Sequence, residues 1–247
     1  FSAIVAENCM KSMYMQPREG AFNFKDSDRF VEFGEKNGMH ITGHTLIWHS
    51  QAPNWFFVDK NGKQVSREVL IERMRNHIHT VVGRYKGRIH GWDVVNEAVL
   101  DNGELRKSKF YEIIGEDFIR LAFQFAQEAD PNAELYYNDY STAIPAKRDG
   151  IVKLVKNVLD SGGRVDAIGM QEHHGLDNPA IAEVEKTIID FASLGTKVMV
   201  TEMDISVLPH ARPHMGAEIS ETYQYKNELN PYVDSLPTAI SAALANR

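Results

Sequence analysis

Two glutamates stand at the ends of two apolar runs. Gly91-Trp92-Asp93-Val94-Val95-Asn96-Glu97 reads as a buried strand that closes on a polar pair, and Val198-Met199-Val200-Thr201-Glu202 closes on a carboxylate in the same way. One carboxyl that donates a proton and one carboxylate that attacks, or activates water, are together the machinery that cleaves a glycosidic bond. Other polar groups collect at equivalent places. The first apolar run leads into Ala6-Glu7-Asn8, with Lys11 one turn on. The second contains His44 and ends in Trp48-His49. The fourth ends in Asn138-Asp139-Tyr140, the fifth in Gln171-Glu172-His173-His174, and Asp204 follows Glu202. If these strands run parallel, all of these groups share one rim. Acids, amides, imidazoles and aromatics on one rim suit a sugar: acids and amides take its hydroxyls, and flat rings cover its faces.

The strands that must deliver these groups are Phe1 to Val5, Ile41 to Trp48, Ile89 to Val95, Ala133 to Asn138, Ala167 to Gln171 and Val198 to Thr201. They are rich in Val, Ile and Leu and mostly do not alternate with polar residues, as strands buried on both faces of a parallel sheet do not. Amphipathic stretches separate them. Leu70, Met74, Ile78, Val81 and Tyr85 make one helical face, capped by Ser66 and ended at Gly87. Ile151, Val155 and Val158 repeat the pattern before Gly162-Gly163, and Ile181, Val184, Ile188 and Phe191 before Gly195. Phe110, Ile114, Leu121 and Phe125 form one longer stripe ending near Pro131, and Asp28 to Lys36 a shorter helix before Gly38. Six strand–helix units in strict alternation predict an α/β fold with a parallel sheet. An open doubly wound sheet fits the same count, but no Gly-rich phosphate loop follows any strand, which disfavours nucleotide binding.

Composition sets the outer limits. The chain has 247 residues, 43% hydrophobic and 25% charged, which is ordinary for a globular domain of barrel size. The formal charge of −7 comes without a basic stripe, so nucleic acid is not an expected partner. No apolar run is long enough to span a bilayer. Cys9 is the single cysteine, so no internal disulfide can form. No linker or composition shift divides the chain, and residues 1–247 are read as one domain.

Five segments, AENCMK, HTLIWHSQAPNW, WDVVNE, GMQEHH and TEMD, occur in an order that closely resembles glycoside hydrolase family 10. The resemblance implies a TIM (β/α)8-type barrel and a retaining endo-β-1,4-xylanase acting on xylan and xylo-oligosaccharides without a cofactor. On matching positions, Glu97 resembles the general acid/base and Glu202 the nucleophile. Asn96 resembles the amide that holds the hydroxyl beside the reacting carbon. His173 resembles the imidazole that bonds the nucleophile, with Asp204 behind it, and both His173 and Asn96 are expected to lie near Glu202. Gln171, His44 and Trp48 resemble walls of the subsite at the cleaved bond, Glu7, Asn8 and Lys11 contacts to the next sugar, and Tyr140 a further lining position. Six of the family's eight βα units are recognisable. The chain begins at what resembles the second strand and stops after what resembles the seventh helix, near Ala239 to Arg247. It is therefore expected to be truncated at both ends. Ser12 stands where the family commonly has Trp, and His174 where it often has a bulky aromatic. Because xylan is polymeric and external, the resemblance implies a secreted or cell-envelope protein.

Plainer readings stand beside these. Strand-end glutamates can simply favour helix dipoles. His49 reads as a rim histidine bonded to backbone, and Trp92 as core. His173-His174 with Glu172 lacks an HExxH or other metal-ligand spacing, so no metal site is expected. His210 and His214 flank Pro213 in a loop pattern and read as surface residues. A barrel that binds xylan without cleaving it, and a β-1,4-glucanase, are the alternative functions.

Overall fold

The computed structural model describes residues 1–175 and 178–206. His210, His214 and the stretch from Ala239 to Arg247 lie outside the described residues. The elements run β1 (Ala3–Val5), α1 (Ser12–Met15), α2 (Lys25–Lys36), β2 (His40–Trp48), a 3-10 turn (Asn54–Phe56), α3 (Arg67–Arg84) and β3 (Gly91–Asn96). They continue α4 (Lys109–Ile114), α5 (Asp117–Ala129), β4 (Glu134–Asp139), α6 (Pro145–Asp160), β5 (Ala167–Met170), β6 (His173–Gly175), α7 (Ile181–Ala192), β7 (Lys197–Val200) and β8 (Asp204–Ser206).

Six strands form one all-parallel sheet in the order β1-β2-β3-β4-β5-β7, each beside its predecessor of that sheet. Stepwise addition of parallel strands with helical returns is the build of a (β/α) barrel wall, and the described residues form a partial TIM-barrel-type fold. Burial follows position. Every residue of β3 and β5 is buried, whereas β1 and β7, at the two ends of the order, are half-buried or exposed. The six sheet strands sit within one or two residues of their expected bounds. Two strands have no counterpart in the sequence reading: β6 and β8 pair in parallel past the ends of β5 and β7, with His173 opposite Asp204.

One face of α3 buries Leu70, Met74, Ile78 and Val81, and Ser66 caps it by accepting from the Val69 N–H at 3.4 Å. The α3 face packs on α5, whose Phe118, Phe123 and Phe125 are buried. Burial of such side chains is worth about 1.5–3 kcal/mol each. Trp92 is 1% exposed, a core residue as expected. It fits because Gly43 on β2 has no side chain: a Cβ there would stand 2.2 Å from Trp92 Cε3. The stripe from Phe110 to Phe125 is not one helix but two. Gly115 adopts φ +85°, the chain turns, and Ser108 caps the separate α4 by accepting from the Tyr111 N–H at 3.3 Å. Both helices turn their apolar residues to the same core, so the stripe runs on across the break.

Candidate active site

All strands of the sheet being parallel, their C-terminal ends share one rim, and the sequence-selected residues meet there. Glu97 follows β3 directly in the left-handed region, at φ +56°. That conformation costs a non-glycine residue on the order of 1–3 kcal/mol and persists only where its surroundings enforce it. It swings the carboxyl across the strand ends. Trp48 Nε1 donates to Glu97 Oε2 at 2.9 Å, and Gln171 Nε2 and Asn96 Nδ2 donate to Oε1 at 3.2 and 3.3 Å.

Glu202 follows β7. His173 donates from Nε2 to Glu202 Oε2 at 3.3 Å and from Nδ1 to Asp204 Oδ2 at 2.5 Å. Both ring nitrogens thus face carboxylate oxygens, which only accept, so the ring is held doubly protonated. The Glu202 hydrogen bond, against partial burial and with Asp204, raises the His173 pKa to about 9. His44 Nδ1 lies 4.0 Å from Glu202 Oε1 while donating to the buried Asp93 at 2.8 Å. Burial pushes Glu202 up, but the His173 hydrogen bond, the His44 imidazole and an amide from Asn138 outweigh it, so its pKa is held below the usual value.

That amide corrects one expectation. Asn96 does not reach Glu202. Its Nδ2 serves Glu97, and Asn138, at the penultimate position of β4, donates to Glu202 Oε1 at 3.0 Å. The second Asn138 N–H goes to Asn96 Oδ1 at 3.1 Å, and Thr201 Oγ1 fixes the amide by donating to Asn138 Oδ1 at 2.8 Å. The two carboxyls are therefore joined by a continuous line of amides, Glu97–Asn96–Asn138–Glu202, with Gln171 bracing the Asn96 end at 3.3 Å. With its three amides buried and hydrogen-bonded, a network of this kind fixes the relative placement of its ends. Register explains how Asn138 reaches across. Its partner on β5 is Gly169, and a Cβ there would come within 2.4 Å of Asn138 Oδ1. The sequence shows Asn138 as a strand-end amide; only the strand register shows which carboxylate it serves.

The remaining candidates surround this line. Lys11 is 3% exposed rather than solvated; its Nζ donates to Asn8 Oδ1 at 2.8 Å and stands 4.8 Å from the centre of the Trp48 ring. Burial lowers the Lys11 pKa, against the pull of Glu202, Glu7 and Glu97. Glu7 is exposed at the same edge. Trp48 itself is buried, with its N–H committed to Glu97, so it acts as a wall and as a carboxyl holder. Tyr140 is half-buried and its hydroxyl accepts from Arg106 Nη2 at 3.0 Å. Arg106, which the sequence did not single out, also donates to the Glu97 carbonyl at 2.9 Å. His49 makes an edge contact with Trp48, their ring centres 5.8 Å apart. His173 and His174 diverge, the latter pairing with Glu172 at 2.6 Å. Among the described residues, no group of three His, Cys, Asp or Glu side chains is arranged to hold a metal ion. No helix of the described residues is long and apolar enough to cross a membrane.

A family model, Glycosyl hydrolase family 10, matches residues 1–240. Endo-1,4-beta-xylanase A of Xylanibacter ruminicola is 55% identical over 239 residues, covering 97% of this chain and 65% of that protein. The chain thus spans somewhat less than two thirds of that relative's length. Among solved structures, an endoxylanase from a sugarcane soil metagenome is 48% identical with a TM-score of 0.89, over 100% of this chain and 71% of the other. An intracellular xylanase from Thermoanaerobacterium saccharolyticum, solved as a mutant with xylotriose, is 42% identical with a TM-score of 0.80, over 83% of this chain and 66% of the other.

Proposed function

Because the chain belongs to glycosyl hydrolase family 10, we propose that it hydrolyses internal β-1,4 bonds of xylan with retention at the anomeric carbon, Glu202 acting as nucleophile and Glu97 as acid and base. The observation that carries this is the amide line between two carboxyls in unlike settings. Glu202 faces two imidazoles and an amide and is held ionised. The carboxyl of Glu97 is met by an indole N–H and two amides, all uncharged. Retaining hydrolysis asks for one carboxylate that attacks and one carboxyl that supplies the proton, and Glu202 is the one flanked by imidazoles.

In the first step a Glu202 carboxylate oxygen bonds to the anomeric carbon. The bond from that carbon to the leaving oxygen breaks, and protonated Glu97 gives its proton to the leaving oxygen. In the second step Glu97, now a carboxylate, takes a proton from water as the water oxygen attacks the same carbon, and Glu202 departs. His173, fixed by Asp204, keeps a positive charge beside Glu202 throughout. His44, Trp48 and Gln171 wall the sugar that reacts, and Glu7, Asn8 and Lys11 take the hydroxyls of the next one. A polymeric substrate also implies action in the cell envelope or outside the cell.

Substitution separates the roles. Glu202→Ala should abolish turnover of every xyloside. Glu97→Ala should spare formation of the glycosyl-enzyme from an aryl xylobioside whose leaving group needs no proton, while losing cleavage of xylotetraose. Equal loss on both substrates in Glu97→Ala would break the assignment. Comparison of xylan with soluble cellulose tests the choice of sugar.

A further inference from the structure

Glu97 holds its left-handed conformation although the side-chain groups that meet its carboxyl make no hydrogen bond to the backbone of residues 97–99. The turn is pinned from behind. The Glu97 N–H donates to the Asn138 carbonyl at 2.9 Å, and the Arg106 N–H to the Ala98 carbonyl at 2.7 Å. The Ala98 N–H donates to Tyr137 Oη at 3.0 Å, and the Val99 N–H to Asp139 Oδ2 at 3.4 Å. Tyr137 in turn donates its hydroxyl proton to the same Asp139 oxygen at 2.5 Å. Asp139 Oδ1 accepts from the Tyr140 N–H at 2.9 Å and faces Lys147 Nζ, delivered from α6, at 3.0 Å.

Tyr137, Asp139 and Lys147 are each wholly buried, at 0% exposure. None belongs to the side chains that meet the carboxyls of Glu97 and Glu202. A buried ion pair is a poor source of stability, since well-packed apolar side chains often do as well. What apolar side chains would not supply is an acceptor for the two N–H groups that follow Glu97, one each from Tyr137 and Asp139. Lys147 balances the charge that makes the second possible. Its Nζ also lies 3.3 Å from Asp101 Oδ1 and 3.3 Å from the centre of the Tyr140 ring, tying the loop after β3 to α6. Burial raises Asp139 to about 6 against the opposing influence of Lys147 and Tyr137, so the lysine and the phenol together keep an acceptor where burial alone would favour a neutral acid.

We propose that Tyr137, Asp139 and Lys147 are positioning residues for the acid/base: a buried relay from α6 to the backbone after β3 that enforces the left-handed turn at Glu97 and so aims its carboxyl at the leaving oxygen. The inference rests on Glu97 being the proton donor. It extends that reading to three residues that do not touch the substrate.

The test is leaving-group dependence in Tyr137→Phe, which keeps the ring and removes one hydroxyl. With the full chain, kcat/KM is measured on xylotetraose, whose leaving sugar needs a proton, and on dinitrophenyl β-xylobioside, whose leaving group does not. A misaimed acid should lower the first by about tenfold or more and leave the second within about twofold, because general acid catalysis contributes only where a proton must be given. Asp139→Asn, which keeps the shape and weakens the acceptor, should show the same split and serves if the phenylalanine variant does not fold. Equal loss on both substrates would show a merely structural role, and wild-type values on both would show that the turn holds without the relay; either overturns the proposal. Glu97→Ala run alongside separates the two levels. If it loses both substrates equally, the acid/base assignment has failed rather than the relay.

Discussion

Gly169→Ala places one methyl group at the point where β4, β5 and β7 converge on the nucleophile. The added Cβ would lie 2.4 Å from Asn138 Oδ1, 3.2 Å from Asn138 Cγ and 2.9 Å from Thr201 Cγ2. Ordinary contact begins near 3.4 Å, so the Asn138 amide must retreat by about 1 Å. It is a buried side chain of a central strand, held on its far side by Asn96 and at its oxygen by Thr201. A retreat of that size, away from β5 and toward Asn96, takes the 3.0 Å bond to Glu202 out of hydrogen-bond range and crowds the 3.1 Å contact with Asn96. Overpacking of this kind costs about 1–3 kcal/mol of stability, and a reacting group displaced by about 1 Å costs on the order of a hundredfold in rate. The assay is kcat/KM on xylotetraose and on dinitrophenyl β-xylobioside, with chemical denaturation to confirm that the variant is folded. Attack by Glu202 is needed whichever group leaves, so both substrates should lose about a hundredfold together. Wild-type activity on both would refute the claim that Asn138 sets the position of Glu202. Loss confined to xylotetraose would assign the amide line to Glu97 instead.

Three further outcomes follow from the structure. His173→Ala removes the hydrogen bond that does most to lower the Glu202 pKa, so that pKa should climb and the acid limb of the kcat/KM–pH profile should move to higher pH. In the same variant the sign for stability is the reverse of a carboxylate's: the His173 pKa is raised from 6.5 to about 9, so its contribution is complete below 6.5 and disappears as pH rises through about 9. Denaturant midpoints of wild type and variant should therefore converge across that window, by a modest amount because the ring is half in solvent. Trp92→Ala, by emptying the space that Gly43 makes for the indole, should cost about 3–5 kcal/mol of unfolding free energy, read from urea titration, and a loss below about 1 kcal/mol would contradict its core placement.

The sheet was readable from sequence because its strands are short, apolar and bounded by amphipathic helices, and because each ends on a polar group. That last feature also made the two carboxyls legible. Where the reading fell short, the missing quantity was register or backbone angle. The apolar stripe from Phe110 to Phe125 is continuous because α4 and α5 face one core, and only the positive φ of Gly115 divides them. β6 and β8 are three residues each, with Ile205 their one apolar side chain, and carry no hydrophobic pattern to be read. Asn138 and Asn96 are both strand-end amides, and their assignment to Glu202 and Glu97 depends on Gly169 lying opposite Asn138. Tyr137 lies unremarked inside the strand that the sequence marks and Asp139 at its end, although together they accept from the backbone that follows Glu97.

The most direct test of the central claim is the anomeric configuration of the first product. The chain is mixed with xylotetraose and the anomeric proton signals are followed by NMR from the first minute. Attack by Glu202 followed by attack of water gives two inversions, so the β-anomer should appear first and mutarotate afterwards. If the α-anomer appears first, water attacks directly and Glu202 is not the nucleophile.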